Sequence, residues 1–574
     1  MSYKIREKIS QAEEEKLAEY PELVRHLLFH RGVISRELAD KFLHPDYSRD
    51  THDPFLMKGM ERAVLRILSA IADNERIAIF SDYDADGIPG AVILHDFFKK
   101  IGFTNFENYI PHRHDEGFGL NSTALDELSQ RKANVLITID CGVADRKEIA
   151  HAQKLGIDVI ITDHHLPPAE GVPPAYAILD PKQLDCPYPD KNLCGSGVAF
   201  KLIQALLLRA STLNPVPFTL PAVGWEKWLL DMVGLATLSD MVPLVGENRA
   251  FARYGLLVLR KSPRPGLQRL LRKIGVNQRT LTEDDIVFSI TPKLNAASRM
   301  GSAQSAFNLL STDSETEAAT AVEELLRLNN ERKGVVGSML REMKKIVADR
   351  YQEEPRLIVL GNPLWRPSLL GLAANTLVKE HACPVFLWGR DGEDRIKGSC
   401  RSDGSADMFE LMKTAGDVFI EYGGHAASGG FSVTPEKIHF LEEVLLGAYT
   451  QLNSVPVATR SNNLIIDREI SVDEVTLPVY RLLEQLSPFG MGNAKPVFLL
   501  RNVPVQSARL FGKEKNHLEV SFARANGGVL KAIKFFAEEG ESPKAGDKKD
   551  AVVSVELSSF AGRSELRLRL IDLV

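Results

Sequence analysis

From residue 56 onward, short apolar runs alternate with segments of helical periodicity. Three β-type runs, Arg76–Ser81, Asn134–Ile139 and Asp158–Thr162, each stop at an acidic residue, at Asp82, Asp140 and Asp163. The stretches Gly90–Lys100 and Ala144–Leu155 lie between them and read as helical segments. Strand–helix alternation predicts an α/β domain on a parallel sheet with right-handed crossovers. In such sheets ligands bind beyond the carboxyl ends of the strands, so three acidic turns fall on the edge where a site is expected. Residues 1–55 read as short charged helices that end in the turn signals Pro45-Asp46 and His52-Asp53-Pro54. Glu315–Arg350 predicts one long charged helix, with only Gly334 and Gly337 as weak points. A second α/β pattern begins at Arg356–Leu360 and runs to about Leu452, and the polar stretch Asn453–Asn463 reads as a linker. Beyond it, Leu518–Phe522, Ala551–Leu557 and Leu566–Ile571 are short strands between Gly, Lys and Asn, the pattern of a small β-barrel. The expected division is therefore a helical segment at 1–55, a parallel-sheet domain at 56–310, a connecting helix at 311–350, a second α/β domain at 351–455 and a barrel at 464–574.

Four groups of metal-ligand residue types sit where apolar segments end: Asp82-Tyr83-Asp84-Ala85-Asp86-Gly87, Thr138-Ile139-Asp140-Cys141-Gly142, Thr162-Asp163-His164-His165, and Ser239-Asp240-Met241-Val242-Pro243-Leu244. Carboxylates gathered this way repel one another and resist ionisation unless a cation neutralises them. Mixed Asp and His donors suit Mn²⁺ or Mg²⁺, and a shared Asp can bridge two ions about 3.5–4 Å apart. Taken singly, each group reads equally well as a turn or a helix cap. All four together, each following an apolar run, do not.

This set resembles the DHH phosphoesterase superfamily, with Asp163-His164-His165 as the name-giving triplet. The resemblance is to its single-strand-specific exonucleases, and it continues through Tyr109-Ile110-Pro111-His112-Arg113, Gly117-Phe118-Gly119-Leu120, Gly195-Ser196-Gly197, Pro243-Leu244, Leu294-Asn295-Ala296-Ala297 with Arg299, Gly423-Gly424-His425-Ala426 and Pro488-Phe489-Gly490. It implies an α/β fold: a DHH domain and a DHHA1 substrate-binding domain joined by the long helix, followed by an OB-fold barrel. It also implies two divalent cations held by Asp82, Asp84, Asp86, Asp140, His164 and Asp240, with Asp140, Asp163 and His165 in the catalytic group and His165 on the scissile phosphate. Phe80 stands where phosphatase relatives carry a ligand histidine, with Asp82 as its substitute. Ser399 and Arg401, in Lys397-Gly398-Ser399-Cys400-Arg401-Ser402, match the family's grip on a terminal phosphate, joined by Arg113, Arg299 and the Gly423, Gly424, His425 turn. That glycine-rich turn reads either as an anion-binding nest of backbone N–H groups or as a tight structural turn. Cys400 replaces the usual Gly, and Arg366 the usual His after Trp365. The implied activity is 5′→3′ exonucleolytic release of 5′-mononucleotides from single-stranded DNA, in recombination and repair. A single-strand-binding protein and a RecQ-type helicase are the implied partners besides the DNA. Two competitors are a compact phosphoesterase for small substrates, which needs no barrel, and a non-catalytic scaffold, which need not keep the acidic positions.

Composition narrows the picture further. At 574 residues the chain requires several cores, and 44% hydrophobic content excludes a largely disordered one. A net charge of −6 means that any nucleic-acid binding rests on local patches. One candidate is Arg253–Arg279, which holds eight Lys or Arg and no acid. In the barrel, Phe511, Lys513, Lys515, His517 and Phe522 are the expected strand contacts. Five scattered cysteines, none in a C-x-x-C pair, exclude a disulfide framework and a zinc ribbon. The charged amino terminus lacks a signal-peptide core, and Trp228–Val245 is broken by Asp231 and Asp240, so a cytoplasmic protein without a membrane span is expected.

Overall fold

The computed structural model describes residues 3–453, 464–512, 515–537, 539–560 and 563–573. Most of the expected linker, 454–463, and Lys513 lie outside these residues. The chain forms two compact units: one comprises His52–Val242 and Tyr254–Arg460, the other Met1–Thr51, Pro243–Arg253 and Ser461–Val574. The compact units and the consecutive segments read from the sequence divide the chain differently.

The larger unit opens on a five-stranded, all-parallel sheet in the order Phe106–Tyr109, Ile77–Ser81, Val135–Ile139, Asp158–Thr162, Ala177–Leu179. Every residue of Ile77–Ser81 and Val135–Ile139 is buried, as continuous apolar runs covered on both faces require. One face, through Ala78, Phe80, Leu136, Val159 and Ile161, packs on Leu125, Leu128, Ile149 and Ala152. Phe80 stacks on Tyr109 with ring centroids 5.4 Å apart, so it is a core residue. The helices Gly87–Lys100 and Gly195–Ala210 pack against each other, with their amino ends at the carboxyl ends of the strands. Trp228–Val245 contributes the buried helix Leu230–Ser239, whose Asp231 pairs with Arg264 at 2.7 Å. Among the described residues no helix is long and apolar enough to cross a membrane.

Helix Glu315–Arg350 is capped by Ser314, whose hydroxyl accepts the Glu317 N–H. Its first half buries Ala318, Val322 and Leu325, and its second half buries Met339, Met343 and Val347 in the core of the following domain. That domain is a five-stranded mixed sheet ordered Glu421–His425, Ser428–Val433, Ile396–Arg401, Val385–Arg390, Ile358–Gly361, with only the last two strands parallel. The glycine-rich segment, readable from the sequence as a nest or as a tight turn, forms a β-hairpin. Gly423 and Gly424 lie in an edge strand paired with Gly430 and Gly429, and the reversal falls at Ala426-Ala427. Glycine is demanded by close packing, since a Cβ on Gly424 would sit 2.3 Å from the Ser428 carbonyl oxygen.

The smaller unit is a six-stranded barrel closed by pairing of Phe498–Phe511 with Lys548–Phe560. Helices Glu22–Phe29 and Arg36–Leu43 add Val24, Leu27, Leu28 and Leu43 to its core. Tyr3–Ile5 pairs in parallel with Leu464–Ile466. The Arg249 guanidinium donates to the carbonyls of Phe42, Leu486 and Ser487. Phe522, expected as a strand contact, is fully buried in this core. On the surface instead, His517 packs edge-on against Phe511, Phe535 and Phe536 at 5.2–5.4 Å, and Phe536 is 79% exposed. Part of the basic run Arg253–Arg279 is engaged within the protein: Arg264 is buried against Asp96 and Asp231, and Arg269 and Lys273 pair at the surface with Glu315 and Glu323. All five cysteines are buried and free.

Candidate metal centre and substrate cleft

Register builds the site. Ser81, Ile139, Thr162 and Leu179 are cross-strand partners, and the next residue of each strand is an aspartate: Asp82, Asp140, Asp163 and Asp180. The ladder runs one step further, with the N–H groups of Asp82, Asp140 and Asp163 donating to the carbonyls of Ile139, Thr162 and Leu179 at 2.9–3.0 Å. Four carboxylates therefore stand in a row along the carboxyl edge, all buried. Asp140 takes a left-handed backbone (φ 61°), which is costly for a residue with a Cβ and is typical of strained functional positions. The amino end of helix Gly195–Ala210 closes on it so tightly that a Cβ on Gly195 would lie 2.6 Å from the Asp140 Cβ.

The first acidic group folds as a turn. Asp84 Oδ1 accepts the N–H groups of Asp86 and Gly87, while both Asp86 oxygens accept from Gly195 and Ser196 at 2.6 and 2.8 Å. Three sets of donor atoms lie within 4.8 Å of one another: Asp82, Asp84, Asp140; Asp140, His164, His165; and Asp86, His164, Asp240. Asp140 and His164 each belong to two sets, as the shared donors of a two-ion site must. His164 Nε2 lies 3.1 Å from Asp140 Oδ1, 3.7 Å from Asp240 Oδ2 and 3.8 Å from Asp86 Oδ2.

Electrostatics show that these groups fit a cation. Burial, reinforced by Asp84, holds Asp82 well above the usual carboxylate range and lifts Asp86 to about 6. Burial and the neighbouring Asp86 push Asp140 far up and Asp240 to about 8. Burial and the charge of His165 depress His164 to about 3, so its ring is neutral and can offer a lone pair. Asp82 Oδ1 and Asp140 Oδ1 are buried without a hydrogen-bond partner. Ionised, buried carboxylate oxygens without partners need positive charge beside them, as a bound cation would supply. His165 differs. Burial opposes its charge, but Asp163, 2.8 Å from its Nδ1, outweighs that and raises the ring to about 9. Asp163 is committed to this task, since its oxygens also accept the N–H groups of Val143, His164 and His165.

Beside the acidic row a cavity of about 580 Å³ is lined by Tyr83, Arg113, Phe118, Lys397, Tyr422 and Gly423, among others. Arg401 Nη1 donates to Ser399 Oγ at 3.1 Å. Burial, with Arg113, Arg332 and Arg401 nearby, depresses Arg299 to about 9. Arg113, Arg299, Ser399 and Arg401 are thus brought together, and Gly423 forms part of the wall. Of the expected grip residues only Arg113 and Gly423 are among the cavity's walls; Arg299, Ser399, Arg401, Gly424 and His425 are not, and the His425 side chain is exposed on the edge strand.

Three residues escape a reading of the sequence. Asp180 completes the row and is pushed to about 7 by burial, but its strand has only three residues and gives no pattern. Arg332, on the connecting helix, looks like ordinary surface charge in the sequence. Phe118 is visible there only as part of a motif; its ring packs edge-on against His165 at 5.7 Å.

Comparison with known proteins agrees with this geometry. The chain matches the DHH family N-terminal domain over residues 76–226, the DHHA1 domain over 354–448 and the RecJ OB domain over 466–572. It is 33% identical to the single-stranded-DNA-specific exonuclease RecJ of Bacillus subtilis, covering 100% of this chain and 71% of that protein. Against the Haemophilus influenzae protein of the same name it is 30% identical, with coverage of 96% and 98%. Among solved structures, RecJ from Thermus thermophilus in complex with Mn²⁺ superposes with a TM-score of 0.81 at 25% identity, over 100% of this chain and 79% of that one. A further RecJ structure bound to manganese gives a TM-score of 0.57 at 30% identity, over 69% of this chain and 95% of that one. With the fold, the acidic edge and identity sustained over whole chains in agreement, this chain belongs to the RecJ family of single-stranded-DNA-specific exonucleases.

Proposed function

We propose that the protein degrades single-stranded DNA from its 5′ end, releasing 5′-mononucleotides by attack of a metal-activated water. The carrying observation is the row of in-register aspartates, in which the buried Asp140 Oδ1 faces neutral His164, beside a cavity walled in part by Arg113 and Lys397. Asp82, Asp84, Asp86, Asp140, His164 and Asp240 would hold two divalent cations, Mn²⁺ or Mg²⁺. Bound there, the pair lowers the pKa of a water and offsets charge on the phosphoryl group in flight. His165, kept protonated by Asp163, donates to the scissile phosphate. Arg113, Arg299, Ser399 and Arg401 grip the terminal phosphate, a dianion that needs several convergent donors. Seating that phosphate beside the acidic row places the following phosphodiester over it, so one nucleotide leaves per cycle. The barrel collects the strand through its exposed aromatic cluster. A single-strand-binding protein and a RecQ-type helicase that supply such strands are the partners this activity calls for, in the cytoplasm, during recombination and repair.

The test is digestion of 5′- and 3′-labelled single strands with Mn²⁺, using 5′-phosphate and 5′-hydroxyl ends. Label at the 5′ end is expected to appear at once as mononucleotide, and label at the 3′ end as a shrinking ladder. Asp140→Ala should cut neither substrate while still binding both. Arg401→Ala should lose the preference for a 5′-phosphate and raise KM about 10–100-fold, as expected for a charge-assisted contact of about 1.5–3 kcal/mol. Early loss of the 3′ label would reverse the polarity.

A further inference from the structure

The motif Leu294-Asn295-Ala296-Ala297 with Arg299 stands out in the sequence, yet only its arginine has a role in the scheme above. It lies on helix Thr291–Met300, which follows directly from a π-helical segment, Asp285–Ile290, a rare geometry often found at functional sites. Three residues of this helix, spaced four apart, each hold a different part of the active region. Thr291 Oγ1 meets Ser239 Oγ at 2.6 Å, and Ser239 precedes Asp240. Asn295 Oδ1 accepts the N–H of Ala85 at 2.9 Å, the peptide between Asp84 and Asp86. Arg299 Nη1 donates to the Ser368 carbonyl at 2.6 Å, and Ser368 Oγ donates back to the Arg299 carbonyl at 3.0 Å, which His114 also approaches at 3.2 Å. Residues four apart share a helix face, and two such steps span about 12 Å.

We propose that Thr291, Asn295 and Arg299 form a splint that fixes the metal-ligand loops against the phosphate-gripping domain, with Asn295 as its positioning residue. The inference rests on the metal reading above. The Asp82–Asp86 loop packs three carboxylates into five residues, and when ionised they repel one another unless a cation lies between them. Within the loop, Asp84 Oδ1 holds the Asp86 and Gly87 N–H groups. The Ala85 N–H is anchored from outside, by the Asn295 carboxamide. Asn295 therefore presets the distance between Asp84 and Asp86, and the rigid helix passes that setting to Arg299 and Ser368. Partners one step behind metal ligands commonly change affinity or activity 10–100-fold when removed.

The experiment measures Mn²⁺ binding without DNA, by electron paramagnetic resonance of the free ion, and separately kcat and KM on 5′-phosphorylated single strands. Asn295→Leu keeps the branching and loses the acceptor. It is expected to bind Mn²⁺ at least about tenfold more weakly and to lose kcat, with KM changed less than about twofold. Asn295→Asp keeps an acceptor for Ala85 and is expected to bind Mn²⁺ as tightly as the parent, or more tightly. Thermal melts establish that both variants fold. If Asn295→Leu does not fold, Thr291→Val, which loses only the hydroxyl contact to Ser239, should show the same shift in smaller degree. Parental Mn²⁺ affinity in the folded variant that lacks its contact, or failure of Asn295→Asp to restore it, overturns the proposal. Unchanged Mn²⁺ binding in Asp140→Ala is a different result: it overturns the metal reading on which the splint depends.

Discussion

The placement of Asp140 depends on a side chain that is not there. With a Cβ on Gly195 only 2.6 Å from the Asp140 Cβ, Gly195→Ala must displace either the carboxylate or the helix end that donates to Asp86. Overpacking of this kind costs about 1–3 kcal/mol of stability, and a shift of about 1 Å at a reacting centre can reduce the rate about 100-fold. Gly195→Ala should therefore lower kcat by one to two powers of ten while lowering the melting midpoint only modestly. Parental kcat in a folded variant would show that Asp140 tolerates displacement. The acidic and histidine positions are legible in the sequence because each follows the apolar run that carries it. Asp180 is not, although it occupies the same register, because Ala177–Leu179 is too short to declare itself a strand. Phe522 misleads for the opposite reason: an aromatic in a barrel strand reads alike whether it faces the core or solvent, and here it faces the core.

Elements are readable in proportion to length and to the regularity of their pattern. The Glu315–Arg350 helix spans the bounds its composition suggests, set by the Ser314 cap and by 36 residues without a proline. The edge strand Phe106–Tyr109 escapes notice in the sequence because it is half-buried throughout and mixes polar with aromatic residues. Glu421–His425 reads as a turn because strand alternation cannot be seen in Gly-Gly. The long helix also offers a test of what it does. Gly334 is exposed, and a Cβ there would meet nothing within 4 Å. Gly334→Ala should raise stability by about 0.5–1 kcal/mol, read from denaturant midpoints at constant m-value. A helix that only spaces two domains will keep its kcat after this change. A drop in kcat would mean that the helix bends during turnover at the residues between its two apolar stripes.

At the scale of the whole molecule, the sequence order of segments hides an assembly. The barrel unit collects residues 1–51, a short piece around Arg249 and everything described after 464, and no local pattern announces pairing between such distant stretches. Removing residues 461–574 should leave the acidic row and the arginine cleft in place while weakening capture of long single strands. Affinity should also become less steeply dependent on salt, since fewer phosphates are neutralised. Equal affinity and an equal salt slope in both forms would remove the barrel from DNA binding. The truncation also deprives Arg249 of the Leu486 and Ser487 carbonyls and His26 of the Asp467 carbonyl, 2.6 Å from its Nε2, so melts must accompany the binding curves. The pairing of Tyr3–Ile5 with Leu464–Ile466 has a temporal consequence. Tyr3–Ile5 is synthesised about 460 residues before its partner, on the order of a minute at about 5–20 residues per second. Throughout that interval the apolar faces of Glu22–Phe29 and Arg36–Leu43 have no barrel to cover them. During synthesis these two helices thus depend on whatever shields nascent apolar surface from proteases and from other chains.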